Sequence, residues 1–171
     1  MNKRRLRRNA RLILLITFAA VIASISASIM TYGASGQEFV RPDLIPSIET
    51  ISASYGVSPE LIEAMIETES QGISSVSNGS CIGLMQVSTR WHGDRAARLG
   101  VDLHTDYGNI LAGTDYLMEL AEDSDDLFYV LATYNGQSDA AEGKENEYAS
   151  KILSRAEELE RVHGKRDYEY N

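Results

Sequence analysis

Glu69 is the residue in this chain whose type and position most suit proton chemistry. It closes the run Pro59-Glu60-Leu61-Ile62-Glu63-Ala64-Met65-Ile66-Glu67-Thr68. There Leu61, Ile62, Met65 and Ile66 recur at helical spacing, and continuing by three and four lands on Glu69. A carboxylate on an apolar stripe is costly to keep ionised, and the last turn before Gly72 adds the negative end of the helix dipole. Both effects raise its pKa, and a carboxyl still partly protonated near neutrality suits general-acid catalysis. An amphipathic helix whose last turn has reached solvent would give the same spacing, so position alone leaves both readings open. Glu63 and Glu67 fall on other faces of the helix.

The remaining reactive side chains offer less. Cys81 is the single cysteine, flanked by Ser80, Ile82 and Gly83, with His92 the nearest histidine in sequence. No base stands beside it, which makes it a small buried apolar residue rather than a nucleophile. His92, His104 and His163 are scattered without metal-ligand spacing, so no metal and no cofactor are expected.

The elements that must position Glu69 are helices. A first helix is expected near Asp43 to Tyr55, with Leu44, Ile45, Ile48 and Ile51 on one side and a stop at Gly56. Ser58-Pro59 opens the helix that carries Glu69, serine as N-cap and proline in the first turn. Ser74 to Ser88, rich in Ser, Gly and Asn, reads as irregular structure or a small hairpin. Three further helices are expected over about 107–122, 126–134 and 145–162, which leaves 89–106 without an assigned element. The last of them carries Tyr148, Ile152, Ala156 and Leu159 at helical spacing.

Composition narrows the setting. A chain of 171 residues buries one core, and it has no internal repeat. Its formal charge of −9 hides an asymmetry: residues 1–34 carry six basic residues and no acid, leaving 10 basic against 25 acidic residues, a net −15, over the rest. So acidic a body argues against nucleic-acid binding. The basic start is followed by Leu12 to Met30, 19 residues without a charge. Apolar on every face, that run predicts an N-terminal transmembrane or signal helix, with the body outside the cell membrane. Either it stays as a single-pass anchor, or it is cleaved and the body is secreted.

The body, over about Leu44 to Leu159, resembles the lytic transglycosylases of the soluble, goose-lysozyme-like group. Glu69-Ser70 stands at the helix end where that family has its Glu-Ser pair, and Gly83-Leu84-Met85-Gln86 follows at the family's interval. Asn109, Gly113 and Tyr116-Leu117 match a third motif, Ala132-Thr133-Tyr134-Asn135-Gly136 a fourth, and Glu145-Asn146-Glu147-Tyr148 a fifth. The resemblance implies an α+β, predominantly α-helical, lysozyme-like fold with a substrate groove between two lobes. It also implies cleavage of peptidoglycan glycan strands between N-acetylmuramic acid and N-acetylglucosamine, with closure of a 1,6-anhydro ring. Glu69 is then the catalytic acid and base, and Ser70, Met85, Gln86, Tyr134, Asn135, Glu145 and Tyr148 are the substrate-binding candidates. Met85 is expected to meet the sugar, Gln86 to bond it through its amide, and Tyr134 to close over the site, with a purely packing role the alternative for each of these residues.

Such chemistry fits a single carboxylate. Ordinary glycosidases flank the bond with two, about 5–9.5 Å apart, whereas here the nucleophile is tethered within the substrate. A muramidase-type hydrolase would need a second acid, for which Asp94, Asp102 and Asp106 are available without one being singled out. A non-catalytic wall-binding or assembly protein of the same fold is the other alternative. The expected layout is a basic segment and membrane or signal helix over 1–34, a tether over 35–42, the catalytic domain over 43–164 and a polar tail over 165–171. A small tethered form is compatible, by analogy, with work inside an envelope-spanning secretion, conjugation or phage machinery.

Overall fold

The computed structural model describes residues 39–137, 143, 144 and 146–163. The expected anchor, the polar tail and Glu145 lie outside them. Among the described residues no helix is long and apolar enough to cross a membrane.

A 3-10 turn over Pro42–Leu44 leads into α1 (Ile45–Tyr55), which ends at Gly56 in the left-handed region, φ 67°. Helix α2 (Pro59–Ser70) begins as expected, the Ser58 hydroxyl accepting from the Leu61 N–H and Pro59 filling a position that has no donor to satisfy. Three two-residue strands follow: β1 (Ser77–Asn78), β2 (Cys81–Ile82) and β3 (Val87–Ser88). They form an antiparallel sheet in sequence order, with Cys81 opposite both Asn78 and Ser88. Helices α3 (Thr89–Leu99), α4 (Asp106–Asp123), α5 (Leu127–Tyr134) and α6 (Glu147–His163) complete the chain.

Helix α3 fills the stretch to which the sequence assigned nothing. Its residues, TRWHGDRAARL, bury only Arg95 and Ala96. The apolar stripe that reveals a helix is therefore missing, although Gly100 (φ 68°) stops it as a C-terminal glycine should. Cys81 also differs from expectation. It sits on the small sheet, half-exposed and free, because a two-residue strand offers no second layer to cover it.

Helix α2 is the centre of the molecule. It packs against α1 and, along its length, against α6, while α5 packs on both α4 and α6. Every residue from Pro59 to Glu67 is buried, so the one-sided stripe read from the sequence understates its enclosure. Glu60, Glu63 and Glu67 are buried with the apolar residues, and buried carboxylates require partners. Glu67 receives Arg155 of α6 through Nε at 2.5 Å and Nη2 at 3.0 Å. At the other end of the pair, the Ser58 hydroxyl donates to Glu60 at 2.9 Å, and His163 Nδ1 lies 3.7 Å from the same carboxylate.

Candidate active site

Glu69 occupies the last turn of α2, half-buried, and Tyr148 lies in the first turn of α6. The antiparallel packing of these helices brings the two together, and the Tyr148 hydroxyl donates to Glu69 Oε1. Burial raises the pKa of Glu69; the Tyr148 hydrogen bond and the nearby Lys151 charge act in the opposite direction and are outweighed. Burial, and then the Glu69 carboxylate, push Tyr148 far above the usual tyrosine range, so its hydroxyl keeps the proton it donates.

Beside this pair runs the loop Gly83–Gln86, and most of the residues expected to touch substrate hold that loop in place. Ser70, buried, donates from its hydroxyl to the Leu84 carbonyl at 2.8 Å and to Ile66 O at 3.1 Å. Gln86 sits at φ 47°, and its amide donates to Gly83 O at 2.9 Å and Val76 O at 3.2 Å. Met85 is fully buried rather than open to a sugar. Its sulfur lies 3.9 Å from the Thr114 hydroxyl. Tyr134 is half-buried and donates to the Met85 carbonyl at 3.0 Å, supporting the loop rather than closing over it. Asn135 caps α5 through its backbone N–H to Leu131 O at 3.1 Å and is exposed.

The residue that organises the loop is Asn109, to which the sequence assigned a motif but no role. Its Oδ1 accepts from Met85 N–H at 2.8 Å, and its Nδ2 donates to Ile82 O at 2.8 Å and Leu103 O at 3.2 Å. Gly83, at φ 75°, has no room for a side chain, since a Cβ there would stand 2.5 Å from Asn109 Nδ2. Gly113 is equally enclosed: a Cβ would lie 2.8 Å from Met85 Sδ and 2.9 Å from the Tyr134 hydroxyl. A buried asparagine with all three bonds made, next to two glycines that admit nothing larger, fixes the loop from behind.

Behind Tyr134 an aromatic path leads away from the loop. Tyr116 packs against Tyr134 with centroids 5.3 Å apart and planes tilted by 37°, and His92 of α3 packs against Tyr116 at 4.4 Å and 47°. Of the second acids considered for a hydrolase, two have other partners and the third faces solvent. Asp106 pairs with Arg41 at 2.6 Å, Asp102 accepts from the His104 N–H at 2.9 Å, and Asp94 is exposed.

Among the described residues, one group has metal-ligand spacing: Glu60, Glu63 and His163, with donor atoms all within 4.8 Å of one another. The scatter of these residues in sequence hid it. Nine residues separate Glu60 from Glu69 on α2, about 14 Å along the axis, so the group lies away from the Glu69 carboxyl and ties the end of α6 to the start of α2.

Residues 46–154 match the sequence pattern of the transglycosylase SLT domain. The chain belongs to that family. No curated protein matched it. The mostly helical architecture agrees with the lysozyme-like fold of SLT domains, whose substrate is peptidoglycan. The matched span includes Glu69, the Gly83–Gln86 loop, Asn109, Gly113, Tyr134 and Tyr148. It ends before Arg155 and His163, which close the far part of the α2–α6 contact.

Proposed function

We propose that this chain is a peptidoglycan lytic transglycosylase that cleaves the β1,4 bond from N-acetylmuramic acid to N-acetylglucosamine and leaves a 1,6-anhydro end. Glu69 is its acid and then its base. The observation that carries this reading is the environment of the Glu69 carboxyl, half-buried with a raised pKa and bonded to a neutral tyrosine donor. Such a carboxyl keeps its proton to higher pH than an ordinary one and remains oriented after losing it.

In the first step the Glu69 proton passes to the glycosidic oxygen, and the bond from that oxygen to the muramic anomeric carbon breaks. The leaving sugar departs as an alcohol, while the substrate's own N-acetyl group shares the positive charge left on the anomeric carbon. In the second step the Glu69 carboxylate takes the proton from the muramic C6 hydroxyl, and that oxygen bonds to the anomeric carbon. Glu69 finishes protonated and no water is consumed. Tyr148 stabilises the carboxylate between the steps by a hydrogen bond to charge. Loop 83–86, held by Ser70, Asn109 and Tyr134, forms one wall of the groove between two lobes in which the glycan lies, and Tyr148 borders it from the α6 side.

The rest of the layout belongs to the same proposal. Residues 1–34 hold the catalytic body outside the cell membrane as a lasting anchor, or direct it there as a cleaved signal helix. Of the expected tether 35–42, Val40 is buried in the core and Arg41 pairs with Asp106, so the folded body begins by Val40. Work within a secretion, conjugation or phage machinery would suit a body so held.

The test is Glu69→Gln, which keeps size and hydrogen bonding but transfers no proton. General acid–base catalysis contributes roughly 10²–10⁴-fold, and one group serving both steps predicts a loss at the top of that range on purified cell walls. The variant should stay folded. A raised folded-state pKa means that ionisation opposes folding as pH rises through it, so removing the charge leaves stability near neutrality equal or higher. A well-folded Glu69→Gln protein that clears a wall zymogram like wild type would sink the proposal.

A further inference from the structure

The single tryptophan of the chain, Trp91, is 73% exposed in the first turn of α3. Tryptophan is among the most buried residues on average, and an exposed one combined with arginine is the usual composition of a contact surface. The Arg90 guanidinium lies 5.1 Å from the indole centroid, within cation–π range. It holds the ring over one face and leaves the other to solvent. Arg95 and Arg98 of the same helix are committed to Asp115. Arg90 makes no ion pair among the described residues.

Two features say what covers that face. The first is continuity with the site. Trp91 follows Gln86 by five residues through β3, and its neighbour His92 begins the tilted ring contacts that run through Tyr116 to Tyr134 and the Met85 carbonyl. The second is charge. Arg90, beside the indole, is a cation without an ion pair among the described residues, whereas Arg95 and Arg98 are held by Asp115. Peptidoglycan offers both complements, sugar rings with apolar C–H faces and stem peptides ending in carboxylates.

We infer that Trp91 is a saccharide platform outside the cleavage site, on which one ring of the glycan strand stacks while Arg90 fixes the indole and meets a stem carboxylate. The inference rests on the reading of the substrate as peptidoglycan. It does not require turnover, so binding can be measured in the Glu69→Gln background of the full chain. The probes are soluble glycan strands with their stem peptides and the same strands after the peptides have been removed.

Trp91→Ala should weaken binding of both probes roughly tenfold, the loss of about one good contact. Trp91→Phe should recover part of it, and Arg90→Gln should weaken the peptide-bearing strands more than the bare ones. On the active enzyme, Trp91→Ala should raise KM for long strands and leave kcat near wild type. Equal binding of both probes by wild type and a folded Trp91→Ala protein overturns the inference, whatever the products of catalysis are. An equal effect of Arg90→Gln on both probes overturns the assignment of the stem carboxylate. If wild type leaves no anhydro ends while Trp91→Ala still loses binding, the platform stands and the reaction assignment fails instead.

Discussion

Glu69 and Asp115 are both partly buried carboxylates on helices, and each accepts a hydrogen bond from a tyrosine hydroxyl, yet the protein sets them in opposite directions. Asp115 receives Tyr55 at 2.9 Å, Arg98 at 2.7 Å and the Arg95 guanidinium. Burial acts to raise its pKa, but the hydrogen bonds from Arg98, Tyr55 and Arg95 prevail and hold it below the usual carboxylate range. Glu69 has Tyr148 and a lysine at a distance, and there burial prevails. The tyrosine is common to both sites, so the guanidiniums make the difference: a carboxylate paired with arginine stays charged and ties helices, while one paired with a neutral hydroxyl can exchange a proton. Two residues away on α2, Glu67 is held by Arg155 and ties α2 to α6.

That comparison can be broken from either side. The largest effect is expected at the structural site. Asp115→Asn leaves Arg95, whose side chain is 8% exposed, with Glu119 as its remaining anion, and removing one member of a buried pair costs about 3 kcal/mol. The sign with pH follows from the lowered pKa. Asp115 stabilises the fold above the ordinary carboxylate value, and that contribution disappears as pH falls through its lowered folded-state value. Urea midpoints of wild type and Asp115→Asn should therefore be far apart at neutral pH and converge in acid; parallel curves at every pH would contradict the pairing.

An intermediate effect is expected at Gly113, where an alanine Cβ would press on Met85 and the Tyr134 hydroxyl. Overpacking of this kind costs about 1–3 kcal/mol. Because the strain falls on the loop beside Glu69, turnover should drop more than the shift in thermal midpoint alone explains. An unchanged rate in Gly113→Ala would mean that the position of the loop does not matter to the reaction.

The smallest and most diagnostic effect belongs to Tyr148→Phe. The tyrosine lowers the pKa of Glu69, so its removal should raise that pKa further. The alkaline limb of the pH–rate profile, where Glu69 loses the proton needed for the first step, should then move to higher pH while the maximal rate falls. A limb that stays in place would assign it to another group.

Much of this arrangement was legible in the sequence. Ser58-Pro59 marks the start of α2, Gly56 ends α1, and the period of Leu61, Ile62, Met65 and Ile66 points to Glu69. Helix α3 was not legible, because it buries an arginine and an alanine in place of an apolar stripe. The functions of Ser70, Met85 and Gln86 were not legible either. Their positions match a family motif, but a motif does not say whether a side chain faces substrate or the backbone behind it, and here Ser70 and Gln86 bond carbonyls and Met85 is enclosed. The Arg155–Glu67 pair spans 88 residues and left no local signal.

The central claim is that one carboxyl acts twice and no water enters the reaction. It is tested most directly by the end groups that the purified enzyme leaves on cell-wall glycan strands. The account predicts muramic ends in the 1,6-anhydro form, resistant to borohydride, appearing at the rate of cleavage and lost with Glu69→Gln. Reducible muramic ends formed at that rate would contradict it, because they require a water.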